Sequence, residues 1–151
     1  PEADYSQETE ELLALQTRLQ KLGDIHRLNS LKAHLWLDGP SAEEGRVSGE
    51  TRDLLLEMNS IALMAPPAGT DLDISRVAPA FNRLGQLDVP TLMMWGDLDF
   101  PHICARCRLV AERIRTCHSH ELAGTAHLPS LDRPAAVSSA VQHFLAQLGD
   151  A

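Results

Sequence analysis

Several features that would assign a chain to a broad class are scarce or missing here. No apolar run approaches the length of a bilayer-spanning helix. Only 13 Lys and Arg stand against 21 Asp and Glu, too few for a phosphate-backbone partner. The three cysteines are an odd number, which argues against a secreted disulfide framework. We therefore expect no nucleic-acid partner, no membrane association and a reducing, cytoplasmic location.

The N-terminus lacks two further features. It has no initiator Met, and its first residues, PEADY, contain neither the basic nor the apolar region of a signal peptide. We expect the native polypeptide to begin further upstream. With 151 residues and 44% apolar composition, the chain is still long and apolar enough to form a domain with a real core.

The first half of the chain contains three helical patterns. Ser6 is a favourable N-cap, apolar residues then recur at steps of three and four, and Gly23 is a natural stop. Asp24 begins a second pattern that residues 36–40, WLDGP, are expected to break. Ser48 is expected to cap a third helix after a polar loop.

These helices are expected to bury one apolar face each. The residues expected to face inward are Leu12, Leu15, Leu19 and Leu22; Ile25, Leu28, Leu31 and Leu35; and Leu54, Leu55, Met58 and Ile61. A linker at residues 65–69, APPAG, follows the third helix. Residues 1–78 therefore predict an all-helical unit.

The second half has a different pattern. Residues 90–96, PTLMMWG, form a short apolar run between Pro and Gly, which is typical of a strand buried on both faces of a parallel sheet. A helix, a second strand at 120–124 and a closing helix at 136–148 are expected to follow. Expected inward positions of the two helices are Ile103, Cys107, Val110 and Ile114, then Val137, Val141, Phe144, Leu145 and Leu148. Residues 79–151 therefore predict an α/β unit with right-handed crossovers.

Two polar loops follow the two predicted strands. The first contains Asp99 and the second contains His127. Because the carboxyl ends of parallel strands meet at one edge of a sheet, we expect the two side chains to lie together. A carboxylate bonded to one ring nitrogen leaves the other as a general base. Taken singly, Asp99 could be only a turn residue and His127 only a loop histidine, so the hypothesis depends on their combination.

Both loops resemble segments of α/β-hydrolases. Residues 89–99, VPTLMMWGDLD, resemble the penultimate strand of that family with its Gly-x-x-Asp turn, and residues 122–134, LAGTAHLPSLDRP, resemble its histidine loop. Ala126 stands where the family often has Gly. The resemblance covers about residues 80–148 and implies the last two strands and helices of the sheet. It also implies that Asp99 is the acid of a catalytic triad and His127 its base, with Asp97 the less favoured acid.

The helical unit resembles the cap that many of these enzymes carry. WLDGP at 36–40 is similar to cap sequences of bacterial members related to lactone hydrolases and carbon–carbon bond hydrolases. The resemblance implies a lid over a small apolar ester, lactone or ketone, and no cofactor. Trp36 could be a core anchor or a substrate contact.

The nucleophile expected in such a family is missing from the sequence. The family places it in Gly-x-Ser-x-Gly, and this chain has no such motif. Ser41 lies in a cap loop without the second Gly, and Ser130 follows His127 too closely. We therefore expect the nucleophile outside this chain, on a missing N-terminal half, and the chain alone to be inactive. That half or a second copy of the chain is the expected partner.

Two other interpretations stay open at this point. Cys104 and Cys107 form a C-x-x-C pair, which with Cys117, His118 and His120 could bind zinc. However, the pair lies within a predicted helix, whereas a zinc knuckle needs a tight turn between its cysteines. The other alternative is a non-catalytic member of the hydrolase fold that is kept for binding.

Overall fold

A computed structural model describes residues 5–66 and 80–149 as a mixed α/β structure, mostly helical, whose described part contains two parallel strands. The elements are α1 (Gln7–Leu22), α2 (Ile25–Ala33), a π-helical turn (His34–Asp38), α3 (Glu50–Met64), a 3₁₀ helix (Ala80–Gln86), β1 (Thr91–Gly96), α4 (Pro101–Arg113), β2 (Cys117–Leu122), α5 (Pro129–Asp132) and α6 (Pro134–Gly149). The predicted boundary between 78 and 79 lies outside the described residues, as does most of the predicted linker at 65–69.

Helices α1 and α2 begin as predicted. The hydroxyl of Ser6 accepts a hydrogen bond from the N–H of Thr9 at 3.2 Å, and a carboxylate oxygen of Asp24 accepts one from the N–H of Arg27 at 3.1 Å. Gly23 ends α1 at φ 68°, a left-handed conformation that glycine adopts without steric cost.

The second helix breaks within the predicted segment 36–40, at its Gly-Pro end rather than at its start. The helix continues through Asp38 as a π-helical turn, which the N–H of Gly39 closes on the carbonyl of His34 at 3.0 Å. Leucine and tryptophan tolerate helical geometry, so the true breakers are Gly39, at φ 106°, and Pro40, which has no N–H to donate.

Helix α3 differs from its prediction at its start and in its buried face. Its N-cap is Gly49, without a side-chain hydrogen bond, so the predicted cap at Ser48 is wrong. The helix packs on α2 through polar groups, because Asn29 donates to the carbonyl of Leu56 at 2.8 Å and accepts from Asn59 at 3.0 Å. These bonds turn Asn59, rather than the neighbouring Met58, toward α2.

The predicted inward faces are correct only in part. Buried or half-buried, as predicted, are Leu12, Leu19, Ile25, Leu28, Leu31, Leu35, Leu55, Ile103, Cys107, Val110, Ile114, Val137, Val141 and Phe144. Exposed, against the prediction, are Leu15, Leu22, Leu54, Met58, Ile61, Leu145 and Leu148. Periodicity identifies an apolar stripe, but which part of the stripe is covered depends on the neighbouring element.

Strands β1 and β2 pair in parallel, as predicted. The register runs from Thr91 opposite Cys117 to Gly96 opposite Leu122. Strand β2 begins at Cys117, three residues before the predicted start, and ends before the predicted 120–124 segment is complete. The polar side chains of this strand hid its first half from a pattern based on apolar residues.

One apolar cluster joins the helical and strand-containing parts. Its buried members are Leu19, Leu28, Leu31, Leu35 and Phe100. Phe100 directly follows Asp99, so the loop after β1 is anchored in the core of the helical part. Of the helices in the described ranges, none combines the length and hydropathy that crossing a bilayer requires.

Candidate active site

Asp99 and His127 lie together at the carboxyl edge of the sheet. Because β1 and β2 pair in parallel up to Gly96 and Leu122, the loops that follow them leave the sheet at the same edge. Nδ1 of His127 lies 2.7 Å from Oδ2 of Asp99, which is hydrogen-bonding distance. The pairing that the sequence predicts is therefore present in the structure, and its catalytic role stays a prediction.

The two partners differ in their exposure to solvent. The side chain of Asp99 is 3% exposed, whereas that of His127 is 42% exposed. The other carboxylate oxygen of Asp99 accepts the N–H of Phe100 at 2.7 Å, so both oxygens are engaged. A carboxylate fixed in this way favours the imidazole tautomer in which Nδ1 carries the proton. Nε2 is then the basic nitrogen, as a general base requires.

The side chains of Cys104 and Asp97 stabilise the turn that carries Asp99. The thiol of Cys104 lies 3.4 Å from the carbonyl of Gly96 and 3.7 Å from that of Asp99. Asp97 is exposed and accepts the N–H of Gly124 at 2.7 Å. The two acids of the turn therefore have different partners: Asp97 ties the two loops together, and Asp99 holds the histidine.

Gly96 is needed where the two loops pass each other. A Cβ at this position would overlap the carbonyl oxygens of Thr125 and Ala126. The loops are also joined by the N–H of Leu98, which donates to the carbonyl of Thr125 at 3.0 Å. This close approach explains the glycine at the start of the Gly-x-x-Asp turn.

The helical part contacts His127 through Trp36. The N–H of His127 donates to the carbonyl of Trp36 at 3.1 Å, and the two rings lie 4.7 Å apart between centroids. The indole is also 5.0 Å from the ring of Phe100. Trp36 therefore packs between the core and the histidine, where it restricts the imidazole on one side.

Arg46 is a residue of the site that the sequence analysis missed. Its guanidinium donates to the carbonyls of Leu37 at 2.6 Å, Asp38 at 2.8 Å and Gly124 at 2.8 Å, and to a carboxylate oxygen of Asp132 at 2.9 Å. These partners belong to the π-helical turn and to both sides of the histidine loop. The available signal was weak: Arg46 is the only basic residue in the polar loop at 41–49.

Asp38 organises the same turn from inside and was also missed. Its fully buried carboxylate accepts the N–H groups of Gly45 at 2.9 Å and Val47 at 3.0 Å and pairs with Arg52 at 2.8 Å. Burial by itself raises the pKa of Asp38, but these hydrogen bonds together hold it below its ordinary value. An acid at the C-terminal end of a helix opposes the helix dipole, and this mismatch was the signal in the sequence.

The cysteines and histidines of the zinc alternative do not converge. Cys104 and Cys107 lie on the single helix α4, and no group of three His, Cys, Asp or Glu side chains in residues 5–66 and 80–149 is placed to hold a metal ion. Burial raises the pKa of both thiols, which disfavours the thiolate that binds metal. His118 and His120 instead line a cavity of about 450 Å³ beside α6.

A nucleophile for His127 is missing from the described part of the chain. No Ser, Thr or Cys side chain there is hydrogen-bonded to its ring, whose one bonded nitrogen is Nδ1. Ser130 lies on the short helix α5 and is exposed, and Ser41 lies in the loop after the π-helical turn. The described arrangement thus contains an imidazole that is hydrogen-bonded to a carboxylate.

No model of a protein family, no curated protein and no solved structure matches this chain. Any assignment of function therefore depends on the geometry of the site.

Proposed function

We propose that this chain is the cap and the C-terminal part of an α/β-hydrolase that cleaves a small apolar ester, lactone or activated carbon–carbon bond. Asp99 and His127 are its acid and base, and the nucleophile comes from outside this chain. The observation that carries the proposal is the 2.7 Å contact between His127 Nδ1 and Asp99 Oδ2 where two parallel strands end.

The proposed mechanism follows from the different roles of the two ring nitrogens of His127. Nδ1 donates to the buried carboxylate, so Nε2 can take the proton of an attacking hydroxyl and later return it to the leaving group. Asp99 stabilises the imidazolium that forms in between. Because the exposed fraction of His127 is 42%, its outer edge is open to such a partner.

The free edge of β1 supports a nucleophile-bearing partner. Within the described residues β1 pairs with β2 alone, so its other edge carries backbone groups that a further strand can bond. A third parallel strand there would end beside the Asp99 loop, where active-site residues of such sheets cluster. A two-stranded sheet is also too small to be stable without further cover.

The helical part supports an apolar substrate. Trp36 is half-buried against His127, and Phe100 is buried behind it, so the described wall beside the imidazole is aromatic. A lid of this kind excludes water and strengthens the charge interactions of the reaction. The identity of the substrate's acyl or keto group depends on the wall of the site that faces Trp36.

The test is reconstitution of activity. This chain is mixed with an N-terminal hydrolase half that carries Gly-x-Ser-x-Gly, and hydrolysis of p-nitrophenyl acetate is followed. We expect turnover that His127→Gln reduces by at least about 10³-fold, since removal of a triad histidine eliminates the base. Asp99→Asn is expected to reduce it strongly as well, because it inverts the preferred tautomer.

His120→Gln is the matched control, because His120 is an exposed histidine of β2 away from Asp99. It is expected to keep the wild-type rate. Full activity of the His127→Gln complex would exclude His127 as the base. Tight binding of the two halves without turnover on any ester or lactone would favour the non-catalytic alternative.

A further inference from the structure

We propose that Arg46 is a positioning residue that couples the cap to the catalytic histidine. It would set the orientation of the His127 ring by holding the histidine loop against the π-helical turn His34–Asp38. This inference rests on the proposed function, because it assigns Arg46 a part in the reaction of that site.

Arg46 bonds to one residue before His127 in the sequence and to one after it. Gly124, whose carbonyl accepts from Arg46 at 2.8 Å, lies before the histidine, and Asp132, whose carboxylate accepts at 2.9 Å, lies after it. The side chains of Arg46 and Asp132 are 20% and 8% exposed, so this pair is largely shielded from water. One guanidinium therefore fixes both ends of the loop that carries His127.

The same guanidinium fixes the cap beside the point where it touches the histidine. It donates to the carbonyls of Leu37 and Asp38. The preceding carbonyl, that of Trp36, accepts the N–H of His127 at 3.1 Å. Three successive carbonyls of the π-helical turn thus bond to Arg46 or to the histidine loop.

These carbonyls need partners from outside the helix. The last carbonyls of any helix lack N–H donors of their own helix, and the helix dipole places partial negative charge at this end. The positive, planar guanidinium satisfies both requirements, since its several N–H groups diverge in one plane. A lysine ammonium has the charge but cannot reach four acceptors with a planar fork.

The test uses Arg46→Lys and Arg46→Met in the reconstituted complex. We expect kcat to fall by about 10–100-fold in Arg46→Met, because a small misplacement of a reacting group has effects of this size. We expect KM to change by less than about twofold, since ground-state binding is not altered. Arg46→Lys should recover only part of the loss. Arg18→Met, at an exposed position of α1, is the control and should match the wild type.

A second readout requires no turnover. In the ¹⁵N NMR spectrum of the chain, the two ring nitrogens of His127 report the tautomer and the Nδ1–H hydrogen bond to Asp99. We expect one tautomer in the wild type and a mixture in Arg46→Met at temperatures where both are folded. A role confined to stability would lower the melting temperature and leave the ring signals unchanged, and that result would overturn the inference.

The remaining outcomes are also decisive. If the wild-type complex has no activity, the proposed function fails, but the ring signals still test whether Arg46 orients His127. Wild-type kcat in both Arg46 variants contradicts the inference even if the hydrolase assignment holds. If neither Arg46→Met nor Arg46→Lys folds, Arg46 belongs to the scaffold and the inference is wrong.

Discussion

The π-helical turn and helix α6 differ sharply in how completely the chain covers them. In the turn, His34, Leu35, Leu37 and Asp38 are buried. Helix α6 is also rich in apolar residues, but none of its described residues is buried, and Leu145 is 57% exposed. The turn is completed by the chain's own polar groups, whereas α6 presents apolar surface that the described residues leave open.

This difference separates contacts that the described residues complete from an apolar surface that they leave open. A turn held by Arg46, Arg52 and buried backbone bonds has its final geometry within this chain. Helix α6 lies beside a sheet whose described part has two strands, and such a sheet gives an apolar helix little to pack against. The turn that contacts the Asp99–His127 pair is therefore expected to have this geometry in the chain by itself.

Asp38→Ala is expected to have the largest effect on the stability of the π-helical turn. Removing the carboxylate takes the charged partner from Arg52, which keeps the carbonyl of Val47, and leaves the N–H groups of Gly45 and Val47 without an acceptor. Breaking a buried pair in this way costs about 3–5 kcal/mol. We expect a loss of this size in the free energy of unfolding, measured by urea denaturation.

Glu44→Ala is the matched control, because Glu44 is an exposed acid in the same loop. It should change the free energy of unfolding by less than about 0.5 kcal/mol. Equal, small losses in Asp38→Ala and Glu44→Ala would mean that the polar network does not hold the turn.

A smaller effect on the free energy of unfolding is expected when the pH is lowered and Asp38 is left in place. The pKa of Asp38 is lower in the folded protein than its ordinary value, so its contribution to stability is complete above about pH 4. The contribution is lost as pH falls through the lowered pKa, because protonation removes an acceptor. We expect the difference in unfolding free energy between wild type and Asp38→Asn to shrink in that acid range. A difference independent of pH would contradict this.

The smallest effect on stability is expected for a substitution in helix α6. Leu145→Ala should change the stability of the chain alone by less than about 0.5 kcal/mol, because the side chain is already largely in water. Leu35→Ala, at a fully buried leucine, should cost about 2–5 kcal/mol. The losses of stability in the two variants are compared by calorimetric measurement of their thermal unfolding. A large loss in Leu145→Ala would show that this face of α6 is covered in solution, for example by a second copy of the chain.

Local rules predicted the parts of the fold that depend on neighbouring residues. Ser6 and Asp24 cap their helices as expected, and the apolar run that forms β1 has a parallel partner. Pairing of Asp99 with His127 was predictable because strand order alone brings their loops to one edge. Each of these inferences needs only the sequence within a few residues and one topological rule.

Long-range contacts decided what could not be predicted. Arg46 stands in an ordinary polar loop, and its partners Gly124 and Asp132 follow 78 and 86 residues later. The side of α3 that faces α2 depends on the amide of Asn29, which pairs with Asn59 on a different helix. A pattern within one segment contains no information about such partners. Helical periodicity therefore placed Leu55 correctly but predicted Leu54, Met58 and Ile61 inward, and these three are exposed.

The bond between the His127 N–H and the Trp36 carbonyl reports on the contact between the helical part and the histidine loop. An amide that is bonded across two parts of a molecule exchanges its hydrogen with solvent only when those parts separate. The exchange rate of this single amide therefore measures how often the helical part separates from the loop that carries His127. Because Arg46 bonds the same turn and the same loop, a separation of the two parts at this corner has to break the bonds of Arg46 as well.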